Sequence, residues 1–165
     1  MMTDQELNKG LLTLKVIWSA MLMSLAIYLF VGLQILTKVP SAMTDETFGM
    51  LKMILYIIAL ATLIVTRFVR ELILSGKGQN GPRIQATRHP ALQTYTTATI
   101  LALAMSESIG IFGLILFLLG KNPMDLYLLI LVSAAAMFMY RPSKEELLTL
   151  SREMSGDSTA GRTTG

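Results

Sequence analysis

One ionisable side chain, Glu107, lies near the middle of an apolar run that extends from Ala98 to Leu119. A run of this length can cross a bilayer as a helix. An ionised carboxylate at that depth costs about 2.5 to 3.5 kcal/mol on insertion scales, so the acid needs a polar partner, a path to water or a bound proton. The chemistry predicted for Glu107 is therefore either reversible proton binding or a structural hydrogen bond between helices.

Hydroxyl side chains at the same depth are the predicted support for this acid. A rise of about 1.5 Å per residue places Ser24, Thr62 and Ser133 near mid-membrane when successive spans alternate in direction. Ser106 and Ser108 flank the acid in the sequence. We expect some of these five hydroxyls to lie within hydrogen-bond reach of the carboxyl group.

Small residues next to the acid predict where a second helix approaches. Gly110 and Gly113 form a stripe with Ser106, and such stripes let two helix backbones come close together in a membrane. The segment that begins at Ser133 and continues with three alanines is the smallest part of the last apolar run. We expect Ser133 to pack against Ser106 and Gly110.

The segment Glu107-Ser108-Ile109-Gly110-Ile111-Phe112-Gly113-Leu114 resembles the carboxylate helix of the ATP synthase c subunit, the proteolipid. Upstream, Arg88-His89-Pro90 is similar to the Arg-Gln-Pro cytoplasmic loop of that family, and the interval from loop to acid is similar too. The resemblance extends from Arg88 to Leu114. It implies that Glu107 carries an ion past a partner, and a proton is the ion expected because Ile109 and Phe112 supply no oxygen ligand for sodium.

Three functions stay open at this point. The protein is a component of a proton-coupled membrane system that uses Glu107, or a structural or assembly subunit in which Glu107 only joins helices. The third alternative is a small four-span exporter, in which the acid binds both substrate and proton. Phe112 is the one aromatic residue close to Glu107 in the sequence, which counts against the exporter.

Composition excludes several other classes. Of the 165 residues, 53% are hydrophobic and 15% are charged, against about 25% charged in a soluble domain. Cysteine is absent and His89 is the single histidine, so we expect no cofactor and no metal site built from thiolates or histidines, while an oxygen-ligand site for a hard cation stays open. No nucleophile–base pair or cofactor motif occurs, so we predict that the protein is not an enzyme. The net charge of +3 is typical of basic cytoplasmic loops and does not indicate nucleic-acid binding.

The elements that position Glu107 are four predicted transmembrane helices in an all-α fold. They cover about residues 14–36, 50–70, 92–119 and 124–140, within a single domain over 1–154. A long cytoplasmic loop is expected at about 75–91. Ser143 and Glu146 form a capping-box pattern that predicts a surface helix over about 143–154. Residues 155–165 contain no apolar side chain larger than alanine, which predicts a disordered tail.

The distribution of basic residues predicts the orientation. Lys38, Lys52 and Lys121 fall on one side of the predicted spans, and the other eleven lysines and arginines fall on the opposite side. Basic loops stay in the cytoplasm, so both termini and the long loop are predicted to be cytoplasmic. We expect a protein of the bacterial inner membrane that forms homo- or hetero-oligomers in the lipid bilayer, because a thin four-helix bundle leaves little room around an acid.

Overall fold

The computed structural model describes residues 4–35, 45–75 and 90–160. These residues form five helices joined by short turns or by segments outside the described ranges, and no strand occurs among them. The helices are α1 (Asp4–Ile35), α2 (Asp45–Leu74), α3 (Pro90–Gly120), α4 (Pro123–Met139) and α5 (Lys144–Ala160). The prediction of an all-α fold with long apolar helices is confirmed.

Three of the helices are long and apolar enough to cross a membrane, over Leu7–Gln34, Thr47–Leu74 and Leu92–Gly120. α4 contains 17 residues, or about 26 Å of helix, which is shorter than the roughly 30 Å hydrocarbon core. It qualifies as a fourth span only together with α5, from which it is bent by 50°. The apolar helices indicate a membrane-embedded protein.

α3 is the centre of the bundle and packs against each of the other four helices. α4 lies along one side of it, and α1 contacts both α3 and α4. α2 packs on α3 from another side, and α1 and α2 scarcely touch each other. The outer faces of α1 and α2 carry exposed large apolar side chains such as Phe30, Met53 and Ile64, as is expected of helices that face lipid.

A tight turn joins α3 to α4. Pro123 begins α4, and the Asn122 side chain caps the helix by accepting the Met124 N–H at 3.1 Å. Lys121, and not Gly120, takes the left-handed conformation with φ of 56°. Gly120 is needed for a different reason, because a Cβ atom there would overlap the ring of Phe48.

α5 packs back onto the bundle through its apolar side. Leu147 and Leu150 are buried against Leu14, Leu92 and Tyr95. The capping contact at its start is present, since the Glu146 N–H donates to Ser143 Oγ at 3.3 Å. The helix is assigned as far as Ala160, six residues beyond the predicted end of the surface helix; a disordered tail over 155–165 stays a prediction. Residues 161–165 and most of the predicted loop, 76–89, lie outside the described residues.

Candidate functional site

Glu107 projects from α3 towards α1, where two hydroxyl groups meet it. The Tyr28 hydroxyl donates to Glu107 Oε1 at 2.9 Å, and the Ser24 hydroxyl is in hydrogen-bond contact with the same oxygen. Ser24 and Tyr28 are four residues apart on α1, a spacing that places both on one face of the helix. The acid is half-buried, and no described residue donates a hydrogen bond to its second oxygen, Oε2.

Ser24 is also bonded to its own helix. Its Oγ lies 2.7 Å from the carbonyl oxygen of Met21, yet a serine hydroxyl has one hydrogen to donate. When Glu107 is ionised, Ser24 can donate to the carboxylate. When Glu107 is protonated, the carboxyl O–H can donate to Ser24 Oγ, and Ser24 can then donate to Met21. Both protonation states of the acid therefore find hydrogen-bond partners in the same geometry.

No cation neutralises Glu107 within the described part of the chain. The three ion pairs there join Lys52 to Asp125, Arg67 to Glu71 and Arg70 to Glu146. The partners of Glu107 are neutral hydroxyls, which can solvate a carboxylate without fixing its charge state.

Ser106, Ser133, Gly110 and Gly113 form the seam between α3 and α4. The Ser133 hydroxyl donates to the Ser106 carbonyl at 2.6 Å, and the Ser106 hydroxyl donates within α3 to Ala102 at 2.8 Å. A Cβ atom at Gly110 would meet Leu25 of α1 and the Ser133 side chain, and one at Gly113 would lie 2.9 Å from Leu129 Cβ. These residues hold α3 in place, and none of their side chains is hydrogen-bonded to Glu107 in the structure.

Two of the predicted supporting hydroxyls point elsewhere. Ser108 donates to the Met105 carbonyl at 2.7 Å, and Thr62 donates to the Ile58 carbonyl at 2.8 Å. Both bonds stay within one helix. Depth along the membrane normal can be estimated from the sequence, but the rotation of a helix about its axis cannot.

A second buried acid, Asp125, was missed by the sequence analysis. It lies at the start of α4, is 3% exposed, and binds α2 through two contacts to its Oδ1: Lys52 Nζ at 2.8 Å and the Tyr56 hydroxyl at 2.9 Å. Its Oδ2 is enclosed and has no hydrogen-bond partner among the described residues. We refer to Lys52, Tyr56 and Asp125 as the far-end cluster, because it lies at the end of the bundle away from α5.

A third polar cluster joins α2 to α5 at the other end of the bundle. Arg70 Nη2 lies 2.5 Å from Glu146 Oε1, and the Tyr95 hydroxyl of α3 lies 3.2 Å from Glu146 Oε2. Tyr95 also accepts the Ser143 N–H at 3.0 Å. We refer to Arg70, Tyr95 and Glu146 as the α5-end cluster.

The sequence contains a signal for both Tyr28 and Asp125, which were not among the predicted site residues. Tyr28 follows the predicted partner Ser24 by one helical turn, and Asp125 is the one acidic residue in the first turn of α4. No group of three metal-binding side chains occurs among the described residues. Arg88 and His89, which carry part of the proteolipid resemblance, lie outside the described ranges, while Pro90 begins α3.

No protein-family model matches this chain, and the searches of curated proteins and of solved structures likewise give no match.

Proposed function

We propose that this protein is a component of a proton-coupled membrane system, in which Glu107 binds and releases a proton. The observation that carries the proposal is the arrangement of Glu107, Ser24 and Met21. One serine hydroxyl lies within reach of both the carboxyl group and a backbone carbonyl, so protonated and ionised Glu107 can each be hydrogen-bonded. A site that satisfies both states can exchange a proton without leaving a buried polar group unpaired.

The resemblance to the ATP synthase c subunit supports the same function by analogy. In that family a carboxyl group on the second helix of a hairpin carries a proton, and Glu107 lies on α3, the second helix of the pair α2 and α3. The flanking helices α1 and α4 have no counterpart in a two-helix hairpin. The proposal therefore concerns the chemistry of the acid and does not extend to a rotor ring.

We further propose an inner-membrane location with both termini in the cytoplasm. Arg70, Arg141 and Lys144 lie around the α5 end of the bundle, whereas Lys52 and Lys121 lie at the far end. Basic residues favour the cytoplasmic side, so the α5 end is the proposed cytoplasmic end. The thin bundle, with little protein around Glu107, supports an oligomeric assembly in the bilayer.

Labelling with dicyclohexylcarbodiimide, a hydrophobic reagent for protonated carboxyl groups, tests the proposal. The purified protein in lipid is treated over a series of pH values, and the modified residue is located by mass spectrometry. We expect modification at Glu107 that decreases as pH rises, and none in Glu107→Gln. Asp125, which is paired with Lys52, is the internal control. Absence of labelling at every pH would contradict proton exchange and favour a sealed structural acid.

The structural or assembly alternative makes a different prediction for two variants. Glutamine keeps the shape and the hydrogen bonding of Glu107 but cannot titrate, whereas leucine removes both. If Glu107 only joins α1 to α3, Glu107→Gln should retain assembly and any associated activity, and Glu107→Leu should lose both. If Glu107 exchanges protons, Glu107→Gln should assemble normally and lose proton-dependent activity.

A further inference from the structure

A furrow open to the membrane lies beside Glu107. One face of α3 is exposed but recessed: its large apolar side chains are 37–39% exposed, and the face consists of Leu101, Ala104, Ile111, Ile115 and Leu118. Glu107 borders this face on the side of α1, and Phe112 borders it on the side of α2, where it packs against the buried cluster that includes Ala59. Since α1 and α2 scarcely touch each other, the exposed face of α3 is the floor of a furrow between them.

The furrow combines an apolar floor with an acid that has no cationic partner among the described residues. Lipid chains can cover the floor, but they cannot neutralise a carboxylate. An inorganic cation would need several more oxygen ligands, whereas Ala104 and Ile111 offer none and the Ser108 hydroxyl is bonded to Met105. A monovalent organic cation with a large apolar body fits both features, because its body can lie on the floor while its charge approaches Glu107.

Tyr28 strengthens this fit. Its hydroxyl is held by Glu107 Oε1, so an aromatic ring lies directly beside the acid, although the two residues are distant in the sequence. Aromatic rings attract cations, and the attraction increases where water is excluded. The observation that counted against an exporter in the sequence, the lack of nearby aromatic residues other than Phe112, does not hold in the folded structure.

We propose that the furrow is a binding site for hydrophobic monovalent cations, which exchange with the proton of Glu107. The exchange is balanced in charge and atoms: the protonated carboxyl group and a free cation give the carboxylate–cation pair and one proton released to water. This inference rests on the proposed proton binding by Glu107 and adds the class of substrate. It would make the proton-coupled system an exchanger of organic cations.

Tetraphenylphosphonium is the probe that tests this inference. The full chain is reconstituted in lipid nanodiscs, and binding is measured by titration calorimetry in two buffers of different ionisation enthalpy, which counts the protons released. We expect saturable binding, one proton released per cation at acidic pH, and an affinity that falls about tenfold for each pH unit below the range in which Glu107 ionises. Binding without proton release would overturn the proposal.

Variants distinguish binding of the cation in the furrow from its simple partitioning into lipid. Glu107→Gln should abolish saturable binding, and Ala104→Leu, which fills the floor one turn before the acid, should weaken it at least tenfold. Ala135→Leu is the matched control, since Ala135 is an exposed alanine on α4. Equal binding by all variants would show partitioning and overturn the proposal. If Glu107→Gln fails to assemble, the number of protons that the unmodified chain releases per bound cation still decides whether the proposal holds.

The two proposals fail in different ways. Carbodiimide labelling of Glu107 that varies with pH, combined with no saturable binding of tetraphenylphosphonium, would retain the proton site and refute the cation site. No labelling at any pH would refute proton exchange itself, and the cation inference would fall with it.

Discussion

At the scale of single residues, the two donors to Glu107 are not equivalent. Tyr28 donates to Glu107 Oε1 at 2.9 Å and is also within hydrogen-bond reach of the Ser24 side chain. Ser24 can serve either state of the acid, because it donates to the carboxylate or accepts from the carboxyl group while it donates to Met21. Tyr28 therefore contributes one donor to the acid, whereas Ser24 can either donate to the acid or accept from it.

This difference predicts distinct effects of removing each hydroxyl. Tyr28→Phe removes one of the two hydrogen bonds to Glu107 Oε1, so the extent of carbodiimide labelling of Glu107 at a given pH should increase. Ser24→Ala removes a partner from both states and should shift the labelling profile less. Tyr127→Phe, at an exposed tyrosine of α4, is the control. Equal profiles for Tyr28→Phe and the unmodified protein would show that Tyr28 does not stabilise the carboxylate.

At the scale of helices, ion pairs fasten α2 near its two ends. Lys52 and Tyr56 hold it to α4 through Asp125, and Arg70 holds it to α5 through Glu146. Between these points α2 packs chiefly on α3. Polar groups in a low-dielectric surrounding are costly to leave unpaired. Each ion pair therefore fixes the position of α2 along its own axis, one relative to α4 and the other relative to α5.

The far-end cluster predicts an asymmetric response to mutation. The Asp125 side chain is 4% exposed, while that of Lys52 is 36% exposed. Lys52→Met leaves a buried carboxylate without a cation and should lower the free energy of unfolding by about 3 kcal/mol. In Asp125→Asn the lysine can turn outwards, and the loss should be about 1 kcal/mol. Unfolding in mixed micelles measures both losses of unfolding free energy. Arg67→Gln, which breaks an exposed ion pair, is the control, and its loss should be near zero. The opposite order would contradict this account.

The seam between α3 and α4 makes a separate prediction. A Cβ at Gly113 would lie 2.9 Å from Leu129 Cβ, an atom fixed to the backbone, whereas at Gly110 it would first meet the end of the flexible Leu25 side chain. Gly113→Ala should therefore force the helices apart and destabilise the bundle by about 1 to 3 kcal/mol. Gly110→Ala should have a smaller effect. Gly49→Ala, with no atom within 4 Å of the new Cβ, should be neutral or stabilising, and a similar loss at all three positions would refute the packing argument.

At the scale of the whole molecule, the sequence was sufficient to predict where the helices lie along the chain. It was insufficient to predict how each helix is rotated about its axis. Lipid leaves backbone groups no partner outside the helix, so apolar runs of span length predicted α1, α2 and α3. The rise per residue predicted the depth at which Ser24 meets Glu107. Contacts between helices depend on which face each one presents, and for this reason depth alone did not single out Tyr28, which bonds the acid, from Thr62, whose hydroxyl bonds its own helix. Asp125 lies in the first turn of α4, where an acidic residue is common because it complements the helix dipole, so its type and position alone do not indicate a buried ion pair.

The arrangement of the whole bundle across the membrane yields a final prediction. The chain contains no cysteine, so a single introduced cysteine reports the side of its own position without background. Lys144→Cys, exposed at the start of α5, should be protected from a membrane-impermeant maleimide in intact cells and react after the membrane is opened. Met124→Cys, exposed at the far end on α4, should react in intact cells. The positive-inside rule gives the direction, because the α5 end carries Arg70, Arg141 and Lys144. Reversed reactivity would place Asp125 and Lys52 on the cytoplasmic side, while reaction of both positions on the same side would show that α4 does not cross the membrane.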